Sequence, residues 1–466
     1  MTRPLLRKFA VLIHGFCRIS SANIGWLLSR VAFVRHNTWG LNTTTLITGI
    51  SQLLTLRGSG PRRGKALANI GLVKTGALLV RDGRIVAVGP RRQVEAHPLS
   101  RAAKQFDVGG RVVLPGFVDS HTHLIHAAGR AEEYELRIQG ASYEEIAKSG
   151  GGILNSVAKL RVATSDALKL RAIWALKQFA AYGTTTIEAK SGYGLDLVSE
   201  LKILCLQKEL AAEQPLSIAS TFLGGHVVPA EFRRRSTGTT QYIALLVDKL
   251  IPEIAAQKLA DFCDVFCERS AFNIEQSRQI LDAGKRYGMQ PRMHAEQLSH
   301  TGGTQLGVSL GAASCDHLEK INGADVKALA KSSTTATLLP GCDFHLGLKQ
   351  YAPARKLIDA GAIVAVATDF NPGTSPTMSM PMILSLACTQ SRMTPAEAIC
   401  AATINAAYSL RRDNQVGSLE VGKCADLGIF DVDDYREIPY YFGMNTCHTT
   451  IKSGRIIYSK SAFGTT

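Results

Sequence analysis

The chain has 466 residues, 45% apolar and 20% charged, a composition that suits a folded globular protein with one large domain and a smaller one. Its formal net charge of +15 is unevenly placed: residues 1–81 hold twelve Lys and Arg and no acid, and the remainder balances to +3, so the body carries no basic nucleic-acid footprint. No stretch reaches the roughly 18 apolar residues that a membrane span needs, which sets that class aside.

The first segment, residues 1–45, contains Arg, Ser, Thr and Asn but no acid. That composition fits either a disordered extension or a transit peptide, and a short apolar run from Phe9 to Ile13 behind Arg7 and Lys8 adds a faint signal-peptide character. From Thr44 the pattern turns β-like. Apolar runs lead through Gly76–Val80, the turn Arg81-Asp82-Gly83-Arg84 and Ile85–Val88, and an Asp-Gly turn between apolar runs is a strong hairpin signal. The far end mirrors this, with Ala425–Phe430 and Thr449–Tyr458 reading as short strands punctuated by Gly. Residues 46–113 and 415–463 are therefore expected to form one small β-sandwich domain built from both ends of the chain.

Between them, residues 114–414 alternate strands and helices. Eight strand candidates stand out: Val112–Asp119, Thr184–Ala189, Ser217–Leu223, Asp264–Glu268, Gln290–His294, Ala312–His317, Thr335–Leu339 and Ile363–Thr368. Helical stretches such as Asp166–Tyr182 and Ile274–Tyr287 separate them. Eight β-then-α units predict an α/β fold, a (β/α)8 TIM barrel, in which chemistry sits at the C-terminal ends of the strands.

Polar residues gather at those ends. Strand one ends in Asp119-Ser-His121-Thr-His123, strand five in His294-Ala-Glu-Gln297, strand six in Cys315-Asp-His317 and strand eight in Thr368-Asp369-Phe-Asn371. Alternate residues of an extended chain point the same way, so His121 and His123 can face one point. Twelve His make about 0.3 His-x-His pairs by chance, so that pair alone decides little. His294 alone reads equally well as a core histidine, and Asp369 as a helix cap. Their joint placement carries the reading. Three imidazoles and a carboxylate make a borderline-hard site for one divalent metal, zinc or iron. Such an ion lowers the pKa of water from 15.7 to about 7 and polarises a carbonyl, as amide hydrolysis needs. Asp369 and His317 are placed to move the proton and aid the carbonyl oxygen. Ten cysteines include no Cys-x-x-Cys pair, so free thiols in a reducing compartment, the cytoplasm, are expected. The tail leaves organellar targeting open.

Leu114-Pro-Gly-Phe-Val-Asp-Ser-His-Thr-His123 resembles the opening motif of the metal-dependent amidohydrolase superfamily, and Gly417-Ser-Leu-Glu-Val-Gly-Lys-Cys-Ala-Asp426 its closing motif. Gly140-Ala-Ser-Tyr-Glu-Glu-Ile146, Gly150-Gly-Gly-Ile153, Lys190-Ser-Gly-Tyr-Gly-Leu-Asp196 and Thr368-Asp-Phe-Asn-Pro-Gly373 narrow the resemblance to the imidazolonepropionase family, over about residues 46–460. The resemblance implies opening of 4-imidazolone-5-propanoate to N-formimidoyl-L-glutamate in histidine degradation, by a homodimer holding one metal per site. It implies metal ligands at His121, His123, His294 and Asp369, and a strand-six histidine at His317. Substrate contacts would fall on Arg130, Tyr143, Tyr193, His226, Gln297, Asn371, Gly373 and Thr374. An Arg can pair with the propionate as a fork, and the Tyr residues can add phenol donors. Gln297 stands where some members have Glu. It can hydrogen-bond but not exchange a proton, which leaves acid–base work to Asp369 and His317. Glu296, one residue earlier, is expected to point elsewhere. Lys190 lies where dinuclear relatives carry a bridging lysine, but one metal is expected here. Another mononuclear cyclic amidohydrolase or aminohydrolase is the alternative, and a non-catalytic barrel would lack the four ligands.

Overall fold

The computed structural model describes residues 44–460 except 59, 142–144 and 146–150. The extension before residue 44 and Tyr143 therefore lie outside the described residues.

Strands β1 (Thr44–Leu54), β2 (Leu72–Arg81), β3 (Arg84–Pro90), β4 (Lys104–Asp107) and β5 (Val112–Pro115) belong to one mixed sheet. The Asp82-Gly83 turn closes the β2–β3 hairpin with both residues at positive φ, as the sequence pattern asks. β1 is bent by an irregularity between Ile47 and Ile50, so β4 pairs with its first half and β5 with its second. Gly49 sits at that bend with φ +69°, and a Cβ there would collide with the Asp107 carboxylate.

The barrel follows: β6 (Phe117–Asp119), β7 (Thr184–Lys190), β8 (Ser217–Gly225), β9 (Phe262–Cys267), β10 (Gln290–Ala295), β11 (Ser314–His317), β12 (Thr335–Leu338) and β13 (Ile363–Val366). Each pairs in parallel with the next. β13 approaches β6 through a bridge from Thr122 to Phe370, and Asp119 accepts bonds from the Thr368 amide and hydroxyl, so the ring is nearly closed. Helices Ser165–Ala181 and Ile274–Arg286 fall where the apolar periodicity placed them; the second begins with a capping box between Asn273 and Gln276.

One expectation needs correction. Val112–Asp119 is not one strand: Gly116 divides it, and its two parts join different sheets. A Cβ on Gly116 would lie 2.3 Å from the Thr185 side chain, so only glycine lets the chain pass from one sheet to the other at that closeness.

The chain returns to the first sheet with β14 (Leu427–Phe430), β15 (Cys447–Lys452) and β16 (Arg455–Ser459), where β14 pairs antiparallel with β5. Ile47, Leu53, Leu78, Val113, Leu427 and Ile451 share one core, so both ends of the chain build this layer together. Asp426, the last residue of the closing motif, accepts from Lys452 Nζ at 2.5 Å and from the Ser453 amide at 2.8 Å, pinning the β15–β16 turn.

Candidate active site

At the C-terminal mouth of the barrel the strand ends bring four imidazoles and a carboxylate together. The His121 ring centroid lies 4.6 Å from that of His294, 5.5 Å from His123 and 5.7 Å from His317. Asp369 Oδ1 is 3.5 Å from His121 Nε2 and 3.7 Å from His123 Nε2. Candidate donor atoms of His121, His123 and Asp369 lie within 4.8 Å of one another, and so do those of His121, His294 and His317. All five residues are buried.

The backbone at these ends is unusual. Glu296, His317 and Asp369 adopt φ of +51°, +81° and +53°. Non-glycine residues reach that region at a cost of about 1–3 kcal/mol each, and such strain gathers at functional sites. For Glu296 the turn aims the carboxylate away from the centre, to the amides of Thr301, Gly302, Gly303 and Thr304 at the start of helix Gly303–Leu310. It is bound to a helix N-terminus, not to the mouth.

Behind the imidazoles lies a layer of buried charge. His121 Nδ1 donates to Asp316 Oδ2 at 2.8 Å, and His294 Nδ1 donates to Asp264 Oδ1 at 3.2 Å. A carboxylate only accepts, so each bond fixes the proton on Nδ1 and leaves the Nε2 lone pair facing the centre. Those two Nε2 atoms are buried and have no hydrogen-bond partner. Burial first, then the cationic neighbourhood of Lys190, drives the His121 pKa well down; burial and His226 do the same for His123. Imidazoles with unpartnered ring nitrogens, beside a carboxylate, are the donor set a divalent cation takes. Burial opposes ionisation of Asp264 and Asp316, but His294 and Lys190 for the first, and Arg292 and Lys190 for the second, hold both below the usual carboxylate range. Lys190 Nζ is itself held by Glu188 and Asp264, each at 2.7 Å. Replacing Asp264 by Asn is therefore expected to weaken metal retention about 10- to 100-fold, read by competition with a chelator.

The other expected residues divide. His226 donates from Nδ1 to the Gly192 carbonyl at 3.0 Å and stacks on His123 at 5.3 Å; Tyr193 lies 5.6 Å from both rings. Gln297 is half-buried, with Nε2 3.7 Å from Cys342 Sγ. Asn371 commits both polar ends to its own loop, accepting from the Gly373 and Thr374 amides and donating to the Asp369 carbonyl and the Thr374 hydroxyl. It shapes the loop that follows β13. Arg130 lies against that loop: a Cβ on Gly373 would come 1.6 Å from one of its terminal nitrogens. Gly373 has no left-handed φ, so alanine there strains the side chain of Arg130 and not the backbone. Gly373→Ala should raise KM about tenfold or more with normal metal content and melting temperature, because the guanidinium must move.

Sequence reading missed Glu188, Asp264, Arg292 and Asp316 as site residues, and Cys342 beside Asp369 and His317. The available signal was charge inside apolar barrel strands, such as Glu188 and Lys190 two apart in β7.

A parallel barrel with this mouth is that of a hydrolase of the amidohydrolase type. The Amidohydrolase family model matches residues 112–457, and a model described as Imidazolonepropionase-like composite domain, bacteria, matches residues 76–98. The chain belongs to the imidazolonepropionase family. It is 43% identical over 415 residues to the imidazolonepropionase of Geobacillus sp., covering 88% of this chain and 97% of that one. The imidazolonepropionase of Solibacter usitatus is 45% identical over 412 residues, covering 88% and 98%. Among solved structures, E. coli guanine deaminase superposes with a TM-score of 0.68 at 15% identity, covering 90% of this chain and 99% of that one. An adenosine deaminase from Xanthomonas campestris with bound zinc superposes at 0.66 and 15%, covering 89% and 93%. At that identity the likeness is one of fold.

Proposed function

We propose that the protein hydrolyses the ring amide of 4-imidazolone-5-propanoate to give N-formimidoyl-L-glutamate, a step of histidine degradation. The carrying observation is the guanidinium of Arg130 packed on Gly373, four residues beyond Asp369, whose carboxylate lies among the clustered imidazoles. Family membership supports the same substrate.

His121, His123, His294 and Asp369 would hold one ion, and three nitrogens with one oxygen suit zinc or ferrous iron. A divalent cation held there would make hydroxide available at neutral pH and polarise a carbonyl. The chain's own groups do the rest. Arg130 clamps the propionate as a two-pronged donor. Tyr193 and His226 line the ring, and Gln297 hydrogen-bonds it without exchanging a proton. His317, held neutral by burial, presents an N–H to the carbonyl oxygen as that oxygen gains charge. Asp369, whose carboxylate lies against His121 and His123, takes the proton from the attacking water. It delivers that proton to the ring nitrogen as the C–N bond breaks. Tyr143 and Thr374 would complete the contacts. The nine described cysteines are free, which supports a place in the reducing cytoplasm.

The test is turnover of imidazolone propanoate by the purified protein, with metal analysis. Arg130→Gln should raise KM about 10- to 100-fold with metal content unchanged. An unchanged KM would place the carboxylate elsewhere and remove the reading's main physical support.

A further inference from the structure

Helix Ala131–Ile138 buries none of its residues. Two guanidinium groups tie it to the barrel mouth. Arg130 stands at its N-cap and Arg137 in its last turn. Seven residues make two turns, so both side chains leave the same face, about 10.5 Å apart along the axis. Both turn to Gly373. Arg130 packs on its Cα, and one terminal nitrogen of Arg137 reaches its carbonyl oxygen at 3.4 Å, a long bond. The other terminal nitrogen of Arg137 is buried and has no partner, as is Nε of Arg130. The neighbouring acid is Glu133, 3.5 Å from Arg130 and already accepting from Asn155. The Tyr134 ring, 5.6 Å from the Arg137 guanidinium, holds that side chain in place.

Two like charges drawn to one loop, with buried donors left over, cost free energy unless an anion lies between them. Burial, and next the charge of Arg130, disfavour the cation of Arg137 in the absence of such an anion. We infer that Arg137 is a second specificity-determining residue, forming with Arg130 a two-guanidinium cradle for the carboxylate of the substrate side chain. The inference rests on the proposed substrate and adds to it: a single fork tolerates many acids, whereas two forks from one helix fix both the carboxylate and its distance from the ring.

The experiment compares wild type, Arg137→Gln and Arg137→Lys on imidazolone propanoate and on its neutral propanamide, with metal content measured for each. Arg137→Gln should raise KM for the acid about 10- to 100-fold with kcat little changed, and leave the amide's KM where wild type has it. Arg137→Lys should recover part of the loss, since it restores charge without the fork. An equal loss on acid and amide would make Arg137 only a prop for the Gly373 loop, and no loss would make it a surface residue; either overturns the inference while the reaction stands. Binding of non-hydrolysable imidazole propanoate separates the two readings. If wild type turned over no imidazolone propanoate, the proposed reaction would fall. Arg137-dependent binding of that probe would still sustain the cradle, and Arg137-independent binding would sink it.

Discussion

His123→Ala should yield a folded chain that retains almost no divalent metal and turns over substrate slower by on the order of 10^4 or more, because water left without the ion keeps a pKa of about 15.7. The position suits the test. His123 is buried, yet its Nδ1 has no hydrogen-bond partner and its Nε2 faces Asp369. Loss of that ring removes no counter-charge from a buried ion pair, whereas a change at Asp316 would leave the buried cations of Arg292 and Lys190 short of one and His121 without its acceptor. The melting temperature of the variant should therefore match that of chelator-treated wild type, both having lost the stabilisation that ligand binding confers. Metal at one equivalent per chain in the variant would remove His123 from the ligand set.

What could be read in advance follows from locality. Strands of a parallel barrel are buried on both faces and appear as apolar runs, so all eight were visible, and polar residues just past their ends marked the mouth. His121, His123, His294, His317 and Asp369 were found in that way, and the structure brings them to one place. The partners behind them were not visible, because each bond spans strands remote in sequence: Asp316 lies 195 residues from His121 and Asp264 lies 30 from His294. Neither local pattern nor strand register tells which buried acid meets which imidazole: His294 stands opposite Asp316 across β10 and β11, yet it bonds Asp264 of β9, whose register partner is Arg292. The break at Gly116 was hidden for a related reason. Residues 112–118 have no polar side chain, and only the two sets of neighbours of Val112–Asp119 reveal that it serves two sheets. Arg137 was hidden because a charge in the last turn of an exposed helix ordinarily answers the helix dipole and nothing more.

His317→Asn should separate chemistry from binding. His317 sits at φ +81°, a conformation that asparagine tolerates better than other non-glycine residues, so the backbone beyond β11 need not change. Asparagine keeps an N–H but is too short to bring it to where the imidazole tip lies. If His317 serves the carbonyl oxygen as it gains charge, kcat should fall about 10^2- to 10^3-fold, the cost typical of one misplaced oxyanion donor. KM should stay within about threefold of wild type, since the propionate is held by Arg130 and the effect belongs to the transition state. Metal content should also hold, because His121 and His294 keep their carboxylate partners whatever occupies position 317. The measurement has a second edge. Donor atoms of His317 lie within 4.8 Å of those of His121 and His294, near enough for all three to share an ion. Metal loss in His317→Asn would thus move His317 into the ligand set and leave Asp369 as the group that both binds the ion and carries the proton. Undiminished kcat would take His317 out of the chemistry, and the developing charge would then have to be met by Gln297 or Tyr193.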